Sequence, residues 1–410
     1  MKHFLLLFII PIATFGTEKT YKINIYNPTP FPKVNSPVVI SLKSIDGLDI
    51  QVRSAIITQG GEPVTYQLDD LDGDGENDEL CFMSNINSNS HQFYKIILSD
   101  QITTHHLHPL LYNEMMLDDK KGIHPHITVI ESSGSSNLFN DLYHHGVAFE
   151  SELTGYRIYY DNRQNIDIYG KKYYRLELSE THFYTDSLHQ SADYGNDVLW
   201  AGSNIGCGSL KLWDGIHFTN WDNVEVRGQR IISCGPIRSI VEMYDKGVVI
   251  KDRQYNIHTY YTQYSGHRDV SVDVYLNHPI ITPFLCTGVQ KIGNSTEALS
   301  SNGGIHSEGY ISNNLAASWG SDYPEMGKKT QFPPEPIGLA VYVSEDYQAA
   351  SNIDENNYLF IIGKQGQQHI RYYISFCASK ELNGFHDASS WFAYLSTWHP
   401  EELTYELNEM

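Results

Sequence analysis

Along most of the chain apolar and polar residues alternate at a period of two, in short runs broken by Gly, Pro, Asn, Asp and Ser. That is the pattern of strands with one buried and one exposed face. SPVVISLKS, YRIYYD, IDIYG, YYRLELSETHFY, IGLAVYVS, YLFIIGK and HIRYYISFCAS all read this way, and QYNIHTYYTQYSGHRDVSVDVYL reads as a long hairpin. IYNPTPFPKVN is a Pro-rich edge or loop. Helical signals gather only near the C terminus, in HDASSWFAYLSTWHPEELTYEL, where SSWFAYL is amphipathic and HPEELTYEL starts at a Pro. Many short strands with almost no helix predict a mainly β protein: a large antiparallel β-sandwich with a short C-terminal helical segment.

The first sixteen residues, MKHFLLLFIIPIATFG, combine a Lys-bearing start, an apolar run and small residues. They read as a secretory signal peptide, too short to stay as a membrane anchor, so a secreted or periplasmic protein without membrane insertion is expected. Residues 17–115 read as an N-terminal β segment, and residues 125–410, beyond a charged linker at Asp118–Gly122, as the main sandwich.

Charge narrows the partners. Lys and Arg number 28 against 49 Asp and Glu, a formal net charge of −21, and a field of that sign repels nucleic acid and anionic lipid. The five Cys have no CxxC spacing and read as scattered thiols, with a Cys207–Cys234 bridge unsupported. In QLDDLDGDGENDELCF, Asp70, Asp72 and Asp74 alternate, Gly75 follows, and Asp78 closes the loop. Alternating oxygen ligands around a tight Gly turn are what a structural Ca²⁺ requires, although strand flanks and the missing twelfth-position Glu set this loop apart from an EF-hand. The His-rich runs at His105, His106 and His108 and at His124 and His126 lack matched ligands and read as polar loops.

The stretch Asp141–Lys172, DLYHHGVAFESELTGYRIYYDNRQNIDIYGKK, concentrates titratable and phenolic groups on predicted strands. Period-two geometry puts Arg157, Tyr159 and Asp161 on one face of their strand and Asp167, Tyr169 and Lys171 on one face of the next. Eliminating an oxygen across C4–C5 of a uronate requires a cation on the carboxylate, a base for the C5 proton and an acid for the leaving oxygen. Arg157 and Arg163 suit the carboxylate, His145 the base, and Tyr159 or Tyr169 the acid; Tyr160 joins them only if a bulge re-aims it. Asp161 and Asp167 can instead fix the Arg side chains, and cross-strand Arg–Asp pairs are often structural. The Gly-rich run DSLHQSADYGNDVLWAGSNIGCGSLKLWDG, with Tyr194, Asp197 and Trp213, reads as a cleft rim. His306 and Trp319 are the remote candidates on a long loop. A glycosidase reading of Glu150 and Glu152, about 7 Å apart on one strand face, is less well supported. No GxSxG or HExxH occurs.

HGVAFESE followed by YRIYYDNRQNIDIYGKK resembles the core motif of domain-of-unknown-function family 4861. The resemblance extends to QLDDLDGDGENDELCF, NDVLWAGSNIGCGSLKLWDG, CGPIRSIV and LAASWGSDYP. It implies an exported protein of polysaccharide breakdown and a supersandwich like those of mutarotases and lyases. It also implies an activity like that of oligosaccharide dehydratases acting on a terminal uronic acid. The matched positions are His145, Glu150, Glu152, Tyr156, Arg157, Asp161, Arg163, Gln164, Asp167, Tyr169 and Lys171. The expectation is a carbon–oxygen lyase acting on a uronate-containing oligosaccharide, with Glu150, Asp161, Gln164, Lys171, Tyr194, His306 and Trp319 holding the substrate. A non-catalytic glycan-binding protein and a mutarotase-like epimerase are the alternatives.

Overall fold

The structure is a computed structural model that describes residues 16–103, 109–119, 121–292, 308–322, 334–400 and 403–410. Residues 1–15 of the predicted leader, the His105–His108 run and His306 lie outside the described residues. No helix among the described residues is long and apolar enough to cross a membrane.

The described residues form two compact units, one from residues 16–103 with residues 403–410, the other from the described residues between 109 and 400. The expected division at residues 115–125 therefore moves, and the C-terminal residues return to the first unit. In that unit a five-stranded sheet, ordered Thr404–Glu409, Glu18–Asn27, Ser90–Ser99, Ser54–Gln59 and Glu62–Val64, shares one core with a three-stranded sheet. The three strands are Lys33–Ser41, Glu79–Ile86 and Tyr66–Asp69. The tail TYELNE, expected to be helical, is a strand. Tyr405 and Leu407 alternate with polar residues and pack on the core, and Ile25 pairs with Tyr405. A two-residue period with β-favouring aromatic residues outweighs the helix-start signal of Pro400.

The second unit is built on a nine-stranded antiparallel sheet running from Glu308–Ile311 at one edge to Val129–Ser133 at the other. Two five-stranded sheets supply the remaining strands of the same large core. The protein is thus mostly β and multi-sheet, with a short helix near the C terminus, and is not the single sandwich expected. The helix Ala388–Leu395 is capped by Asp387 and lies on the opposite face of the nine-stranded sheet. Alternation decides which side each residue serves. Leu339 and Val341 enter the large core, whereas Ala340 and Tyr342 meet the helix. Gly338 is required there, since a Cβ would come within 2.6 Å of the Trp391 ring. All five cysteines are free, so no Cys207–Cys234 bridge exists.

The five-stranded sheet ordered Asn196–Asp197, Ile166–Gly170, Gly155–Tyr159, Gly146–Ser151 and Leu111–Glu114 positions the candidate site. Its three central strands come from the focal stretch. Val147, Phe149, Tyr156, Ile158, Ile166 and Ile168 enter the large core. The alternate residues carry the polar groups: Ala148 stands opposite both Arg157 and Glu114, and Arg157 stands opposite Asp167.

Candidate functional site

Arg157 lies almost wholly buried at the centre of the polar face. Its Nη2 donates to Asp167 Oδ2, to Tyr159 Oη at 3.1 Å and to Asp197 Oδ2 at 3.3 Å. Tyr159 in turn donates to Asp167 Oδ2 at 2.6 Å. Aromatic faces cover the guanidinium, with Phe183 at 4.1 Å and Tyr184 at 5.6 Å, while Nε and Nη1 have no hydrogen-bond partner. Burial works against the guanidinium charge, but Tyr159, Asp167, Tyr184 and Asp197 outweigh it and hold Arg157 firmly protonated.

Asp197 comes from a distant segment, brought in by the pairing of Asp197 with Tyr169. Burial, followed by the Asp167 charge beside it, pushes its carboxyl well above the usual carboxylate range, despite Arg157. Burial likewise drives Tyr159 well above its ordinary value, so its phenol stays protonated and tied to Asp167.

His145 occupies a turn with φ of 69°, a left-handed conformation that is costly for a non-glycine residue. Gly146 follows it, where a Cβ would fall 1.9 Å from the Ile158 carbonyl oxygen. His145 Nδ1 lies 2.8 Å from the Phe139 carbonyl oxygen, and the two rings stack at 3.8 Å. A carbonyl only accepts, so Nδ1 carries the proton and Nε2 holds the lone pair. Burial lowers the imidazole pKa, which keeps the ring neutral near pH 7.

His145, Arg157, Tyr159, Arg163, Asp167 and Asp197 line one cavity of about 630 Å³, together with Phe139, Asn165, Tyr184 and the segment Leu199–Gly202. Its size suits a small-molecule site. The aromatic walls suit the apolar faces of sugar rings and the polar groups suit their hydroxyls. Arg163 donates through Nε and Nη2 to Asp161 Oδ2 and is partly exposed. Asp161 thus orients Arg163 and also caps the turn through the N–H groups of Arg163 and Gln164.

Glu114 secures the wall. It accepts from Tyr112 Oη at 2.8 Å and His182 Nδ1 at 3.0 Å, and lies 3.2 Å from His144 Nε2. Burial raises its pKa, but the two imidazoles prevail and bring it down to about 2. The anchored segment has positive φ at both His182 and Phe183, and this turn lays Phe183 and Tyr184 over Arg157.

Several expected residues lie elsewhere. Tyr160 follows the parity of Tyr156 and Ile158 into the large core and donates to the Arg227 carbonyl at 2.7 Å; no bulge re-aims it. Tyr169 shares the polar face but is sealed against Phe183, with Thr185 at 3.0 Å. Glu150 and Lys171 form a buried ion pair, and Glu150 also accepts from the Leu178 N–H at 2.8 Å, so both are structural. Gln164 donates to buried Asp245, and Tyr194 donates to Glu180. Trp319 packs with Trp391 on the opposite face of the nine-stranded sheet. Asp197, Tyr184, Phe139 and Trp200 also line the cavity without a sequence signal of their own: Asp197 arrives from forty residues beyond Arg157, whereas Phe139 stands only six residues before His145 in a stretch that reads as a loop.

In the first unit, ligand atoms of Asp70, Asp72 and Asp78 lie within 4.8 Å of one another. Asp74 is not among them and uses Oδ1 to accept from the Glu76 N–H. Hard oxygen donors fit a dication, but the Lys43 ammonium already contacts Asp72 and Asp78. Atoms of Asp118, Asp119 and His124 approach equally closely, though Asp119 Oδ1 serves the turn by accepting from the N–H groups of Lys121 and Ile123.

The chain belongs to the family described as domain of unknown function (DUF4861), whose model matches residues 25–404. No curated protein matches it. Similar solved structures include an α-mannosidase from Enterococcus faecalis V583, at 8% identity and a TM-score of 0.41, covering 95% of this chain and 46% of that one. Another is a protein in glycosyl hydrolase family 38 from Enterococcus faecalis, at 8% identity and a TM-score of 0.42, covering 96% and 47%. The chain spans less than half the length of either.

Proposed function

We propose that the cavity binds a carbohydrate and acts on it by acid–base chemistry, with a uronate-containing oligosaccharide as substrate and carbon–oxygen elimination as the reaction. One observation carries this reading: His145, whose Nδ1 is turned to the Phe139 carbonyl so that Nε2 is left to accept, lines the same cavity as Asp197, a carboxyl that burial and the neighbouring Asp167 push above the usual carboxylate range. In the reaction, Nε2 takes the C5 proton and the released electron pair forms the C4=C5 bond. The C4–O bond breaks, and Asp197 gives its proton to the departing oxygen. Arg163, partly exposed at the cavity although paired with Asp161, meets the substrate carboxylate, and the buried Arg157 positions Asp167, Asp197 and Tyr159.

The pairing of both arginines with protein carboxylates, Arg157 with Asp167 and Arg163 with Asp161, favours a second reading. A sugar-binding protein without turnover, or a mutarotase-like epimerase, uses the same cavity and needs no carboxylate clamp. A secreted or periplasmic location is part of the same proposal, supported by the leader-like start of the sequence, and the group Asp70, Asp72 and Asp78 is a proposed structural calcium site.

Incubation with a panel of uronate-terminated oligosaccharides tests the reading. Elimination raises the ultraviolet absorbance of a conjugated alkene. Anomer interconversion without a chromophore supports the epimerase, and retention of unaltered glycan supports binding alone.

A further inference from the structure

A second cavity, of about 510 Å³, shares Arg163, Asn165, Trp200 and Gly202 with the first. Four residues common to both make the two hollows neighbours along one cleft, with Trp200 and Arg163 at the junction. The second hollow is a built structure. Lys211 is buried beneath it and donates to the Arg163 carbonyl, to Asn165 Oδ1 at 2.7 Å and to Asn220 Oδ1 at 3.2 Å. Those bonds commit the Lys211 nitrogen to the protein, while burial pushes its pKa down to about 7. They also hold fixed the backbone of Arg163 and the side chain of Asn165, whose Nδ2 donates to the Gly202 carbonyl at 3.0 Å. The divider between the hollows is thus braced from below.

The Ser203 and Thr219 hydroxyls and the Asn220 amide line the same hollow beside the Phe218 ring. Hydroxyl and amide groups exchange hydrogen bonds readily with sugar hydroxyls, and aromatic faces take the C–H face of a pyranose. Each hollow falls within the range of about 300–1,000 Å³ usual for a small ligand.

We propose that the second cavity is a subsite for the neighbouring sugar of the same chain, so that the protein recognises an oligosaccharide of at least two units laid across Trp200. This rests on the first cavity being a sugar site.

Calorimetry on the full chain tests it with methyl glucuronide, methyl galacturonide, and disaccharides of each uronate linked to a neutral hexose. The wild type is expected to bind a disaccharide at least tenfold more tightly than the matching methyl uronide. Thr219→Trp and Ser203→Trp, both at exposed positions on separate segments, fill the hollow and bring that ratio close to one. A ratio near one in the wild type, with methyl uronide bound, overturns the subsite alone. So does a tenfold ratio that persists in both variants. Absence of binding by every probe overturns the sugar reading of the first cavity and the subsite with it.

Discussion

His145 Nδ1 stands 2.8 Å from the Phe139 carbonyl oxygen while the two rings lie parallel at 3.8 Å. This double hold fixes ring plane, tautomer and a positive backbone φ together. Strain of that kind persists only where the surroundings impose it, and it gathers at functional sites. The result is a base whose proton-accepting nitrogen is defined before any substrate arrives.

The pH dependence follows from two opposite shifts. Burial lowers His145, so the base is lost as pH falls through a value below the usual histidine value of about 6.5. Burial and Asp167 raise Asp197, so the acid is lost as pH rises through a value above the ordinary carboxylate range. A pH profile of kcat/KM is expected to be bell-shaped, and Asp197→Asn to abolish the alkaline limb while keeping the acid one. An alkaline limb unchanged in that variant removes Asp197 from the role of acid.

Arg157→Met leaves Asp167 buried without its cation, a change that costs about 3–5 kcal/mol. Chemical denaturation measures it. Adding Asp167→Asn recovers part of the loss, because the stranded carboxyl is gone. A single variant within about 1 kcal/mol of wild type contradicts the positioning role assigned to the guanidinium.

Acid stability reports on the wall. With Glu114 at about 2 instead of 4.5, the folded state gains about 3 kcal/mol that is fully present above pH 4.5 and is lost as pH falls toward 2. Melting temperature followed across that window should fall more steeply for wild type than for Glu114→Gln, whose uncharged amide has nothing to titrate. Equal slopes mean that the imidazoles of His144 and His182 do not hold the carboxylate.

The acidic loop gives a separate prediction. Calcium at about one hundred times its dissociation constant is expected to stabilise the protein by about 2.7 kcal/mol. Thermal melts with calcium and with chelator read this directly. Lys43→Gln, which removes the ammonium beside Asp72 and Asp78, should enlarge the gain, and Asp70→Ala should abolish it. Identical melts in calcium and chelator identify a solvated turn.

Alternation made the sheet around Arg157 legible, because Ile158 and Ile166 stand opposite each other on the core face as Arg157 and Asp167 do on the polar one. Parity gives the face of a side chain but not its depth. Tyr169 and Lys171 share the face of Asp167, yet end sealed against Phe183 and paired with Glu150. Asp197 was visible only as part of a Gly-rich rim, since its place depends on pairing with Tyr169 across a turn-rich segment. The tail strand was hidden for a related reason: its partner, Glu18–Asn27, lies at the far end of the chain. Trp319 read as a loop residue, whereas its strand places it against Trp391.

The central claim, that His145 is the base in a sugar-binding cavity, is met most directly by His145→Gln. Affinity and turnover are measured side by side on one uronate-terminated oligosaccharide, by calorimetry and by alkene absorbance. The account predicts that the variant still binds while turnover falls by about 10²–10⁴-fold. A wild-type protein that binds the sugar but never changes it, or a variant that turns it over as fast as wild type, contradicts the account.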